Sequence, residues 1–158
     1  MYKHTLVLIL LCAVPALADP PAAHAPPLRA FDEWRLDCRQ EPCAIATTVA
    51  GADGSEVLRL ASTGGALAVT TALPLHLPDG IVLVFGDGLV RPAPWRTCGA
   101  SGCEATVPLD PELGQALRRE RDGSATFTLV DGVAVRLPFS LIGYSAALRA
   151  AAEVSPAP

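Results

Sequence analysis

The sequence predicts an all-β domain, a β-sandwich or partly closed barrel of about eight short antiparallel strands with two short helices. Three observations carry this. Apolar and polar residues alternate with period two in many short segments. Turn signals such as Asp53-Gly54, Gly64-Gly65, Pro78-Asp79-Gly80 and Asp131-Gly132 separate those segments. Four cysteines form two C-x4-C pairs, Cys38/Cys43 and Cys98/Cys103, each between strand-like stretches.

The chain of 158 residues opens with Lys3 and His4, an apolar run from Thr5 to Val14, and Pro15-Ala16-Leu17-Ala18. That is a charged region, a short hydrophobic region and a small-residue cleavage site, so residues 1–18 read as an export signal. The run is shorter than the ~20 residues a bilayer span needs. Cys12 lies inside it as an ordinary apolar residue, because Leu11 is too large for a lipoprotein cleavage site. Residues 19–30, DPPAAHAPPLRA, form a Pro/Ala-rich extended leader in which His24 is solvated.

From Phe31 the alternation begins. Trp34, Leu36 and Cys38 share one face of a strand, with Glu33, Arg35 and Asp37 on the other. Cys43 to Val49 continues in phase. Glu56 to Ala61 and Leu67 to Thr71 follow after turns. Ile81-Val82-Leu83-Val84-Phe85 is apolar without alternation and is expected in a central position covered on both faces. Leu89 to Trp95 carries Pro92 and Pro94, which confine it to an edge. Cys103 to Leu109 is a further strand.

Asp110-Pro111-Glu112 starts a helix: an N-cap, a proline fit for the first turn and an acid at the positive end. Leu113, Ala116 and Leu117 form its buried stripe, and Arg118 and Arg119 suit its C-terminus. Ser124 to Val130 and Val133 to Pro138 flank Asp131-Gly132 as a hairpin. Tyr144, Ala147, Leu148 and Ala151 mark a second helix. Residues 31–152 therefore form one domain and 153–158 a frayed tail.

Charge narrows the function classes. The formal net charge is −4, and one unit more acidic once Lys3 leaves with the signal. Every remaining basic residue is a scattered arginine, which argues against nucleic acid as a partner. No second stretch is long and apolar enough for an integral membrane span after signal cleavage.

In an exported chain four cysteines read as a disulfide framework. Three connectivities exist. Local pairing, Cys38–Cys43 and Cys98–Cys103, is expected because Glu41-Pro42 and Gly99 to Gly102 resemble turns. Each such loop restricts the unfolded chain by about 2 kcal/mol in the entropy account. Cross-pairing would staple distant strands instead. A zinc site is disfavoured by the x4 spacing and by oxidation during export, and a redox role by the lack of C-x-x-C.

Together these features resemble the invasion-associated locus B (IalB) family of exported α-proteobacterial proteins, over roughly Phe31 to Ala152. The marks are Phe31, Trp34 and Cys38; Leu77 to Ile81; Cys98-Gly-Ala-Ser-Gly102-Cys103-Glu-Ala105; Leu109-Asp110; and Ser140-Leu-Ile-Gly143-Tyr144-Ser-Ala-Ala147-Leu148. The resemblance implies an exported β-rich domain with two disulfides and, more distantly, a role in host-cell interaction. It supplies no catalytic residues. This chain departs from the pattern in its proline-rich leader and in Ile142, where relatives often carry lysine.

No catalytic constellation is visible. His76 beside Pro78 is expected at the surface, no G-x-S-x-G elbow is present, and no cofactor or metal is expected. Asp110 and Glu112 read as helix capping rather than an acid–base pair. Trp34 is in phase with the core. Trp95, with Arg91 and Arg96, forms the candidate partner-binding patch. The expected function is a non-enzymatic, exported interaction protein of the periplasm or outer envelope, binding a protein partner in the envelope or on a host cell. The alternatives are a small-ligand-binding or enzymatic periplasmic domain, or a structural accessory of an envelope complex.

Overall fold

A computed structural model describes residues 28–154. The expected signal, most of the leader and the last four residues lie outside that range. Within it, eleven strands form two antiparallel sheets that face each other, with two helices at one side. The fold is a two-sheet sandwich, not a closed barrel.

The larger sheet has strands β1 (Arg29–Phe31), β2 (Trp34–Asp37), β3 (Ala44–Ala50), β4 (Glu56–Thr63), β5 (Ala66–Thr71), β8 (Trp95–Gly99) and β9 (Gly102–Pro108). Their order is β1-β2-β3-β4-β5-β9-β8. The smaller sheet has β6 (Ile81–Phe85), β7 (Leu89–Ala93), β10 (Asp122–Thr128) and β11 (Ala134–Ser140), in the order β11-β10-β6-β7. Helices α1 (Pro111–Arg119) and α2 (Tyr144–Val154) complete the chain.

Alternation sets the core. In β4, Leu58, Leu60 and Ser62 point inward; Leu67 and Val69 of β5 and Ala105 and Val107 of β9 do the same. They meet Ile81, Leu83, Phe85, Ala125, Phe127 and Phe139 from the other sheet in one core. Trp34 is fully buried, as its phase requires, with its ring at 5.0 Å from Tyr144. Its indole N–H donates to the Ser140 carbonyl at 3.0 Å, so it ties the two sheets together. Buried hydroxyls also find partners: Thr47 donates to the Glu33 carbonyl and Thr71 to the Val57 carbonyl. Such pairing offsets the cost of burying a polar group.

Several elements differ from expectation for identifiable reasons. Arg29 and Ala30, assigned to the leader, already pair with Leu36 and Arg35 in β1; three residues are too few to show a period. The segment Leu89 to Trp95 is not one edge strand. It ends at Ala93, and Pro94 is the corner where the chain leaves the small sheet for β8. Strand β6 is central in its sheet, but only Ile81, Leu83 and Phe85 are buried; Val82 and Val84 are half-exposed on its outer face. In α2 the third fully buried stripe residue is Ala150 rather than Ala151, and the helix reaches Val154.

The turn expectations hold. Cys38 and Cys43 are bonded across the β2–β3 loop, with Cα atoms 4.2 Å apart. Cys98 and Cys103 are bonded as facing residues of the β8–β9 hairpin, with Cα atoms 4.0 Å apart. Gly102 and Gly143, both in the segments that carry the family resemblance, have φ of 108° and 101°. A Cβ on Gly102 would overlap the Thr71 carbonyl, and one on Gly143 would overlap that of Phe31. These glycines allow backbone to pack on backbone.

Candidate functional site

The three candidate partner-binding residues flank the Pro94 corner, and the fold gives them different surroundings. Arg91 is opposite Leu83 on the inward phase of edge strand β7. Its stem follows the core edge and its guanidinium emerges at the start of α1. There it donates to Glu112 at 2.6 Å and to Asp110 at 3.2 Å. Asp110 in turn caps α1 by accepting the Leu113 N–H at 2.7 Å. That backbone bond, then Arg91, hold the Asp110 carboxyl below its ordinary range, and the Glu112 hydrogen bond raises the Arg91 guanidinium.

Trp95 is half-buried, with its ring edge-to-face against Phe127 at 6.1 Å. Its indole nitrogen is enclosed and has no hydrogen-bond partner among the described residues. Arg96 is exposed on the opposite phase of β8. Arg91 and Trp95 are therefore engaged with the protein's own carboxylates and core, and Arg96 is the one that faces outward. A register shift between Trp95 and Thr97 accompanies this change of direction.

The other sequence candidates behave as structure. His76 lies at the surface with Nδ1 3.2 Å from an Asp79 oxygen. The Asp79 carboxyl is lowered, first by a hydrogen bond from Thr128 and then by His76. Asp110 and Glu112 serve the helix and Arg91. Among the described residues no group of three or more His, Cys, Asp or Glu side chains could hold a metal ion, and no helix is long and apolar enough to cross a membrane.

One grouping went unnoticed in the sequence. Ser62, Arg118 and Tyr144 line a groove of about 400 Å³ between the two helices and the β4–β5 turn. Two signals pointed there: a serine on the inward phase after Leu58 and Leu60, and Gly114 in a helix interior.

Set beside known protein families, residues 34–152 match "Invasion associated locus B (IalB) protein". The fold is similar to the crystal structure of invasion associated protein B from Bartonella henselae, with a TM-score of 0.74 over 84% of this chain and 100% of that chain, at 18% identity. No curated protein matches the sequence. The matched span runs from Trp34, fully buried on β2, to the last turn of α2, and on that basis the chain belongs to the invasion associated locus B family.

Proposed function

We propose that this protein is an exported, non-enzymatic interaction module of the bacterial envelope that docks a protein partner along the free edge of β8. The observation that carries the reading is the state of the four sheet edges. Strands β7 and β11 carry exposed Pro92 and Pro138, and β1 is three residues long. Proline and shortness both discourage strand addition. Strand β8 has neither defence; it is exposed from Arg96 to Gly99 and stapled to β9 by Cys98–Cys103. A partner strand would find unpaired N–H and C=O groups on a rigid template. Arg96 then offers a charge beside the edge, Trp95 anchors the strand to Phe127, and Arg91 fixes the adjoining strand to α1.

The export signature and two disulfides support an oxidising compartment outside the cytoplasm. The name of the Bartonella henselae neighbour supports the finer reading, contact with a host cell. Two experiments test the proposal. Crosslinking in intact cells should capture a partner less well with Trp95→Ala/Arg96→Ala, while circular dichroism stays that of the wild type; unchanged capture refutes the edge. Protease shaving of intact cells should release peptides of this protein if it contacts a host. Protection until lysis would place it in the periplasm and remove the host-cell role.

A further inference from the structure

The groove between α1, α2 and the β4–β5 turn is walled by apolar groups, chiefly Ile45, Leu109 and Leu148. Three features suggest a ligand. The first is a spare buried donor. Ser62 Oγ and Tyr144 Oη are 3.1 Å apart, and the two residues are 8% and 2% exposed. Two hydroxyls carry two hydrogens and their mutual bond uses one. The other meets no acceptor among the described residues. Burial raises the Tyr144 hydroxyl above its ordinary range, so it stays a donor.

The second feature is a cation near that donor. Arg118 lines the same groove and is within electrostatic reach of Tyr144. Its guanidinium forms no ion pair among the described residues, unlike that of Arg91. The opposite charge in the groove, Asp110, caps the start of α1 and is already occupied by Leu113 N–H and Arg91.

The third is Gly114. Glycine in a helix interior costs about 1 kcal/mol relative to alanine. Nothing crowds the position: a Cβ would stand 3.8 Å from the Arg118 guanidinium and 4.0 Å from Leu109. The missing side chain instead keeps open the space between the cation and the apolar wall.

We infer that this groove binds an aliphatic carboxylic acid, with the carboxylate held by Arg118 and the spare hydroxyl of the Ser62–Tyr144 pair, and the alkyl chain lying along Gly114 towards Leu109. A carboxylate accepts hydrogen bonds and donates none, which suits an end that offers a guanidinium and one spare hydroxyl hydrogen. An alkyl chain makes no hydrogen-bonding demand on the apolar wall, whereas a peptide would leave N–H and C=O groups unmatched there. The volume falls in the range of small-molecule pockets.

The test is calorimetric titration of the oxidised, signal-free protein with decanoate below its micelle concentration, and with decanol as the uncharged control. This reads a small ligand and is independent of edge docking at β8. Saturable binding at one site is expected, about tenfold weaker for decanol and for Arg118→Gln. Tyr144→Phe, which keeps the ring against Trp34, should weaken decanoate binding severalfold. Gly114→Leu should fill the groove and abolish it, with circular dichroism reporting that each variant is folded. The inference is overturned if decanoate fails to bind, if decanol binds equally well, or if folded Gly114→Leu binds like the wild type.

Discussion

Asp37 shows how a single half-exposed side chain can titrate far from its ordinary value. The Arg39 side chain donates to it at 2.9 Å and the Arg39 backbone N–H at 3.0 Å. These bonds lower the Asp37 carboxyl from 3.8 to about 2. A depressed folded value means that its stabilising effect is complete above the unfolded value and is lost as pH falls through about 2. NMR titration should show that midpoint, and Arg39→Ala should bring it back towards 3.8; an unmoved midpoint would discount Arg39 as the cause. Gly143 is a residue of another kind. Its positive φ and its approach to the Phe31 carbonyl leave no room for a Cβ. Gly143→Ala should cost about 3 kcal/mol in denaturant unfolding, since the turn into α2 would have to shift off β1. A loss below about 0.5 kcal/mol, the range of surface substitutions, would show that the turn moves freely.

Secondary elements differ in how clearly their residues announce them. Helix α1 was legible in full: Asp110 caps it, Pro111 opens it, and Leu113, Ala116 and Leu117 are its buried residues. Each signal there is local, within one turn of the next. The break at Pro94 was not legible, because a proline fits an edge strand and a corner equally well. What decides is that β8 must reach β9 in the other sheet, a contact distant from anything the Leu89–Trp95 pattern encodes. The candidate patch was blurred for the same reason: Arg91 meets its carboxylates only after β7 and α1 come together. The disulfide hairpins were legible as turns closed by short loops. Removing the β8–β9 link with Cys98→Ser/Cys103→Ser should therefore lower stability by about 2 kcal/mol in denaturant unfolding. Retention of most wild-type secondary structure is expected, because residues Trp95 to Gly99 still pair with β9. Global unfolding would mean that the link organises more than its hairpin.

At the scale of the whole molecule, two sheets share one core, and the borders of the small sheet lie near the large one, β11 beside β3 and β7 beside β9. This near-closure leaves the outer rims of β7 and β11 as places where another chain could add. Pro92 faces Val82 and Pro138 faces Ser124 in these edge strands. Neither proline has an N–H to offer, so each interrupts the row of groups that an incoming strand would need. Inward-pointing Arg91 adds a second deterrent on β7, because an added strand would crowd the pair it makes with Asp110 and Glu112. If these residues protect the edges, Pro92→Thr/Pro138→Thr should convert a protein with a concentration-independent mass into one that associates at about 100 µM in sedimentation equilibrium. The substitution should leave β8 available and capture through Arg96 unchanged. A double variant whose mass stays constant over that range would locate the protection elsewhere, in the approach of β3 and β9 to those rims.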